Sequence, residues 1–182
     1  MRGSAEVGGA VTVVNAISTG KGAAIGISLR LRANAELSED GPFSFKCTNR
    51  EVDDSVARTA FELVAKRYDL KGYGCRIEVE SEIPVAVGLK SSSAAASAIA
   101  LALLDAIGEV PRYQELLDLV TEISVRSGTS ITGAADDASA CMLGGFVVTD
   151  NRRNALLMRA EVDGRMRAVI AVPEGRRTYT AS

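Results

Sequence analysis

The stretch GLKSSSAAASAIALALLDAIG, residues 88–108, decides how the rest of the chain is interpreted. It places three serines between a Gly-Leu-Lys turn and a segment without charge from Ser91 through Leu104. That segment has 14 residues, fewer than the ~20 needed to span a bilayer, so it predicts a buried helix over about 91–107 and no membrane anchor. One serine is enough to cap a core helix, and three serines beside a lysine exceed what capping requires.

The same stretch has the context of a phosphate-binding site. A strand is expected to end near Ile83, Pro84 and Gly88 shape a turn, and the helix begins at the serines. The first N–H groups of a helix lack intrahelical partners, and the helix dipole favours an anion there. Serine hydroxyls can bind phosphate oxygens or Mg²⁺. Because the dipole contributes only ~0.3–2 kcal/mol, a cation must assist, and Lys90 is the first candidate. A serine-capped core helix is the alternative.

The sequence on either side predicts strands and helices mixed without a regular βαβ rhythm, which indicates an α+β fold. Alternating apolar residues predict strands over 25–37 and 75–84, and β-branched residues predict another over 11–17. Apolar residues at helical spacing predict a helix over 53–68 behind an aspartate cap, and a second one containing Tyr113, Leu116, Leu117, Val120 and Ile123. A short helix over 132–143 closed by Gly144 and Gly145, and strands over 146–150, 154–162 and 165–172, complete the prediction.

Composition excludes several classes of function. The 21 basic and 23 acidic residues give a net charge of −2, and there are four Phe, four Tyr and no Trp, so nucleic-acid binding is not expected. Histidine is absent, which excludes Ser-His-Asp hydrolysis and most zinc sites. The three cysteines form no C-x-x-C pair, and no signal peptide is recognisable, so we expect reduced thiols and a cytoplasmic location.

Two further motifs contain residues that could bind a ligand or act in catalysis. TGKGAAIG, residues 19–26, approaches a dinucleotide-binding fingerprint, but a strand pattern follows it where that fingerprint requires a helix. TGAADDASACMLGG, residues 132–145, sets Asp136 and Asp137 in an otherwise uncharged segment. A buried carboxylate there is expected to accept a hydroxyl proton or bind a metal. The alternative is a pair of helix N-terminal acids favoured by the dipole.

Taken together, these motifs resemble those of a known kinase superfamily. PVAVGLKSSSAAASA is similar to the second motif of the GHMP small-molecule kinases, which include galactokinase, homoserine kinase and mevalonate kinase. TVVNAISTGKGAAIGISL, GLKSSSAA and TGAADDASACMLGGFVVTDN together resemble the archaeal-type shikimate kinases over most of the chain. The resemblance implies a ribosomal S5 domain 2-like N-terminal domain, the use of ATP with Mg²⁺, and phosphorylation of the shikimate 3-hydroxyl in aromatic amino acid biosynthesis.

The resemblance also implies roles for individual residues. Asp137 corresponds to the family's catalytic aspartate, with Asp136 as the alternative, and Ser92 is expected to provide the hydroxyl linked to Mg²⁺. Lys21, as a partner for the substrate carboxylate or the transferred phosphate, and Thr132 are expected to bind substrate. The loop around the ATP phosphates is expected to comprise Gly88, Leu89, Lys90, Ser91, Ser92, Ser93 and Ala94.

Two departures from the family pattern limit these implications. The first motif, here GGAVTV, lacks the Pro-Gly-Lys start of many members, and the family's glycine-rich third motif is not present. We therefore expect residues 1–164 to form the ATP-binding domain, residues 165–182 to be the stub of a truncated second domain, and the isolated chain to bind nucleotide weakly and to turn over substrate poorly. Another GHMP kinase acting on homoserine or mevalonate, and a non-catalytic S5-like binding domain, stay open as alternatives, as does the oligomeric state.

Overall fold

The computed structural model describes residues 1–171 of the chain. Six strands form one sheet and four helices pack against it, which confirms the predicted α+β class. The strands are β1 (Arg2–Val14), β2 (Lys21–Glu39), β3 (Ser44–Cys47), β4 (Tyr73–Ser81), β5 (Phe146–Asp150) and β6 (Ala155–Ala160). The helices are α1 (Ser55–Arg67), α2 (Ser91–Ala106), α3 (Tyr113–Arg126) and α4 (Ala135–Leu143).

Strand β2 organises the sheet because it pairs with three others. β1 runs antiparallel along one edge of β2. On the opposite edge, β4 pairs with residues 31–39 and β5 with residues 21–25, both antiparallel. β3 extends the sheet beyond β4 as its one parallel pair, and β6 extends it beyond β5. The first residues of β2 therefore lie between β1 on one edge and β5 on the other.

Helix α2 lies at the centre of the layer of helices. It contacts β1 and β2 beneath it and α1, α3 and α4 around it. The small side chains seen in the sequence permit close packing, since a Cβ added to Gly3 of β1 would lie 2.2 Å from the backbone nitrogen of Ala106. The sheet presents Leu31, Ala33, Ala35 and Leu37 to this layer, all at most 2% exposed, as the alternation in β2 predicted.

Four local predictions differ from the structure. The strand predicted over 11–17 is observed as β1, which begins at Arg2 and ends at Val14. Strand β3 was missed, because its four residues are too few to show an alternating pattern. Helix α1 begins after Asp54, whose side chain makes no capping hydrogen bond; Asp53 instead accepts a hydrogen bond from the Ser55 N–H at 2.9 Å. The strand predicted over 165–172 is wrong as far as residue 171, since these residues pair with no strand of the described chain, and Val169 is 94% exposed. Residues 172–182 lie outside the described residues, so the boundary predicted at 164/165 stays a prediction.

Candidate functional site

The turn before α2 is built from left-handed backbone conformations. Ala86, Gly88 and Lys90 have φ angles of 59°, 80° and 63°, so three residues of this short turn lie in a region that costs a non-glycine residue roughly 1–2 kcal/mol. Leu89 between them is buried, and its carbonyl accepts a hydrogen bond from the Ala10 N–H at 3.3 Å. Core packing and strand β1 therefore hold the turn in its strained form, a combination typical of functional sites.

The start of α2 offers donors to a ligand. The first helical hydrogen bond runs from the Ala94 N–H to the Lys90 carbonyl at 2.9 Å, and the N–H groups of Ser91, Ser92 and Ser93 have no partner among residues 1–171. Ser91 is half-buried, Ser92 is exposed and Ser93 is buried, and all three line one cavity. The serines are thus not sealed in the core, and α2 directs free amides and hydroxyls towards the same space.

Asp137, in the first turn of α4, meets Lys90 across that space. Its Oδ2 lies 3.1 Å from the Lys90 Nζ, and its Oδ1 is buried without a hydrogen-bond partner in the described chain. Burial raises the pKa of the Asp137 carboxyl from its ordinary 3.8 to about 6, although the Lys90 ammonium opposes that rise. The ion pair joins the first turns of the two helices and leaves one carboxylate oxygen for a ligand.

Asp136 occupies a different environment from its neighbour. Its Oδ1 accepts a hydrogen bond from the Asn151 side-chain amide at 2.9 Å. The other oxygen lies over β2, where a Cβ added to Gly22 would come within 2.5 Å of it. Gly22, which belongs to the motif that resembled a dinucleotide fingerprint, is therefore needed because the Asp136 carboxylate occupies the space that a side chain would fill.

One cavity of about 510 Å³ connects these groups. On the side of β1 and α4 it is polar, and on the side of β3 and β4 it is largely apolar. The polar lining includes Thr12, Asn15, Lys90, Thr132, Asp136, Asp137 and Asn151; the apolar lining includes Leu31, Phe45, Val52, Val56, Val79 and Ile99. A cleft with an apolar side and a few convergent polar groups has the composition of a small-molecule site.

Most of the predicted site residues meet at this cavity. Gly88, Lys90 and the three serines line it, together with Thr132 and both aspartates. Leu89 and Ala94 are buried in the core and do not line the cavity, so a ligand would reach them only through their backbone.

Lys21 does not line the cavity either, and it is exposed. Successive side chains of a strand point to opposite faces, and the next residue, Gly22, faces Asp136. This geometry does not favour the predicted contact between Lys21 and the substrate.

Sequence reasoning missed several polar residues of the site, among them Thr12, Asn15, Arg50 and Asn151. Arg50 lines the apolar side, and its guanidinium donates to the Ile83 carbonyl at 2.7 Å and to the Ser81 carbonyl. These contacts hold the end of β4, which leads into the phosphate-binding turn. All four residues lie near strand ends, where no periodic pattern distinguishes them from ordinary loop residues.

Comparison with known proteins decides the family. A model of the GHMP kinases N terminal domain matches residues 55–145, which contain α1, β4, α2, α3, α4 and the predicted phosphate-binding turn. The chain belongs to the GHMP kinases. This confirms the predicted superfamily and its N-terminal domain fold.

Several relatives of this GHMP kinase carry the name shikimate kinase. The one from Methanothrix thermoacetophila is 44% identical over 174 residues, which is 96% of this chain and 59% of that protein. The one from Pyrococcus furiosus is 41% identical and covers 95% of this chain and 63% of that protein. The predicted resemblance to archaeal shikimate kinases is confirmed, and the chain spans about three fifths of the length of these relatives.

Solved structures agree on the fold of this GHMP kinase. The mevalonate kinase of Methanococcus jannaschii superposes with a TM-score of 0.72 at 14% identity, and covers 90% of this chain and 56% of that one. A putative sugar kinase from Campylobacter jejuni gives a TM-score of 0.66 at 19% identity. In the described residues, 1–171, no helix has both the length and the apolar character needed to cross a membrane.

Proposed function

We propose that this chain carries the nucleotide-binding part of an ATP-dependent kinase that phosphorylates the 3-hydroxyl of shikimate, giving shikimate 3-phosphate and ADP. The observation that carries the proposal is the buried, unpartnered Oδ1 of Asp137, which shares a cavity with the free N–H groups at the start of α2. The names of the archaeal relatives supply the acceptor alcohol.

The start of α2 fits the phosphates of ATP. The N–H groups of Ser91 to Ser93 are donors without partners in the described chain, and the positive end of the helix dipole lies at the same point. The Lys90 ammonium adds a full positive charge next to them, which the dipole alone does not provide. The apolar side of the cavity is suited to an adenine ring, because aromatic rings gain most from apolar burial.

The residues present also fit Mg²⁺ bound with ATP. Within residues 1–171 no group of three or more His, Cys, Asp or Glu side chains converges as a metal site. The ion would therefore be held by phosphate oxygens together with a hydroxyl, and the exposed Ser92 is our choice among the three serines. When bound, Mg²⁺ neutralises charge on the phosphates during transfer.

Asp137 would act as the general base. The oxygen of the 3-hydroxyl attacks the γ-phosphorus, the bond from phosphorus to the β–γ bridging oxygen breaks, and the hydroxyl proton passes to Asp137. A carboxyl with a pKa of about 6 is mainly ionised at pH 7, yet it is more basic than an exposed aspartate. Lys90 would hold the ionised carboxylate in place while the hydroxyl approaches the free oxygen.

The proposal includes shikimate as the small-molecule partner, ATP and Mg²⁺ as cofactors, and the cytoplasm as location. The test incubates the 182-residue chain, and in parallel the complete product of its gene, with ATP, Mg²⁺ and one alcohol from a panel of shikimate, mevalonate and homoserine. Mass spectrometry identifies the phosphorylated product. Shikimate 3-phosphate is the expected product. Phosphomevalonate or phosphohomoserine without shikimate 3-phosphate would overturn the proposed acceptor.

A further inference from the structure

The carboxylate of Asp136 is oriented by a short chain of hydrogen bonds. The fully buried Thr149 donates its hydroxyl hydrogen to the Asn151 Oδ1 at 2.6 Å. The amide nitrogen of Asn151 therefore faces the other way and donates to the Asp136 Oδ1 at 2.9 Å. A residue on strand β5 thus determines which atom of Asn151 meets the carboxylate.

Backbone contacts fix the same group from the other side. The Asn151 N–H donates to the Gly20 carbonyl at 2.7 Å, which ties the end of β5 to the turn before β2. Two residues further along, Gly22 leaves space that the Asp136 carboxylate fills, since a Cβ there would lie 2.5 Å from its Oδ2. Asp136 is therefore held between Asn151 and the backbone of β2, with little freedom to turn.

Despite this support, the Asp136 Oδ2 accepts no hydrogen bond within residues 1–171. Asp136 and Asn151 both line the polar side of the cavity, beside Asp137. The Asp136 residue is only 5% exposed, and a carboxylate oxygen that is rigidly held without a donor is suited to accept a hydrogen bond from a ligand. Both carboxylates line the same cavity, so one ligand that fills it can place one hydroxyl at Asp136 and another at Asp137.

We propose that Asp136, oriented by Asn151 and Thr149, accepts a hydrogen bond from the substrate hydroxyl next to the one that is phosphorylated, and so selects acceptors with neighbouring hydroxyls. This inference rests on the proposed function. In it, Asp137 takes the proton, Asp136 recognises the adjacent hydroxyl, and Asn151 and Thr149 are positioning residues. For shikimate, the recognised group is the 4-hydroxyl.

The test compares shikimate with its analogue that lacks the 4-hydroxyl, using the complete gene product with ATP and Mg²⁺. We expect kcat/KM for the analogue to be lower by about 10- to 100-fold, the usual effect of one hydrogen bond to a charged group. This comparison uses the unaltered protein, so it does not depend on the folding of a variant. Equal kcat/KM values for the two compounds would overturn the inference and leave the proposed function standing. Failure to phosphorylate shikimate at all would overturn both.

Substitutions in the hydrogen-bond chain test whether it causes the preference for shikimate over the analogue. Thr149→Val removes one hydroxyl at nearly constant volume, and we expect it to reduce the preference for shikimate over the analogue at least 3-fold, mainly through KM. Thr149→Ser keeps the hydroxyl and is expected to restore the preference. Gly164→Ala is the control, because a Cβ there meets nothing within 4 Å. A preference that is unchanged in both Thr149→Val and Asn151→Ala would show that this hydrogen-bond chain does not determine the selectivity.

Discussion

Helices α2 and α4 both begin beside the cavity, and each begins at a non-glycine residue with left-handed torsions, Lys90 at φ 63° and Ala134 at φ 51°. Their first turns differ in charge. α4 carries Asp136 and Asp137 there, so its own carboxylates compensate its dipole, whereas α2 has no acidic residue in its first turn. The start of α2 therefore remains available to an anion of the ligand, and the start of α4 carries the carboxylate that we propose as the base.

The largest expected effect comes from removing the base of α4. Asp137→Asn keeps the shape of the side chain but cannot accept the hydroxyl proton, so kcat should fall about 10²- to 10⁴-fold. Steady-state kinetics with shikimate measure the loss, and circular dichroism verifies that the fold is retained. Asp163→Asn, at an exposed carboxylate paired with Arg165, is the control and should be unaffected. Full turnover by Asp137→Asn would show that Asp137 is not the general base, whereas a wild type without turnover on any alcohol would support a non-catalytic S5-like domain.

The same substitution should change how stability depends on pH. The folded pKa of Asp137, about 6, lies above its ordinary 3.8, so ionising this carboxyl costs stability in the folded chain. The cost is absent below about pH 4, grows as pH rises to about 6 and is constant above that, where it is on the order of 3 kcal/mol. Urea unfolding at pH 4, 5, 6 and 8 should show the wild type losing stability relative to Asp137→Asn over this window. A difference that is independent of pH would contradict the raised pKa.

Removing the charge between the two helix starts should have a smaller effect. In Lys90→Met the ammonium no longer lowers the pKa of Asp137, so that pKa should rise and the acid limb of the kcat profile should move to higher pH. At pH 7 we expect activity to fall about 10- to 100-fold, because the base is less ionised and the phosphates lose a cation. Lys66→Met is the matched control, because this exposed lysine lies in the last turn of α1 and does not line the cavity. An unshifted pH profile would show that the ion pair does not influence the base.

Two serine hydroxyls of α2 are expected to contribute to different properties, one to ligand affinity and one to stability. Ser92 is exposed at the cavity, and Ser92→Ala should weaken the binding of Mg²⁺-ATP by about 10-fold without changing stability. Ser97 is fully buried and donates to the Ser93 carbonyl at 2.8 Å, so Ser97→Ala should affect stability and leave affinity nearly unchanged. Calorimetric titration and thermal melting measure the two quantities. Equal affinity in both variants would argue against Ser92 as the metal-linked hydroxyl.

The smallest effect is expected at the start of α4. Glycine adopts left-handed torsions without the penalty that alanine bears, so Ala134→Gly should stabilise the fold by a few tenths to about 1 kcal/mol after the entropy of the unfolded chain is included. Thermal melting measures the gain. A loss of stability would mean that the alanine methyl group contributes more by packing than its torsions cost.

The sequence predicted those elements whose pattern is repeated over many residues. The alternation in β2, the uncharged run of α2 and the helical spacing of α3 each supply many residues that agree, so all three elements were found. The serines and the two aspartates were found because polar groups are unusual in apolar segments. Strand β3 was not found because it is too short to show a period. Asn151 was not found because its hydrogen bonds to Thr149 and Asp136 form only in the folded sheet.

The pairing of strand β2 also determines the order in which parts of the sheet can form during synthesis on the ribosome. Its pairing with β1 joins neighbouring segments and can form early. The opposite edge of residues 21–25 stays unpaired until β5 has been synthesised, well over half the chain length later. Gly22 and Asn151 lie on these late-joining segments. The hairpin of β1 and β2 and helix α2 are therefore synthesised well before the polar end of the cavity can close, so this end of the cavity is completed last.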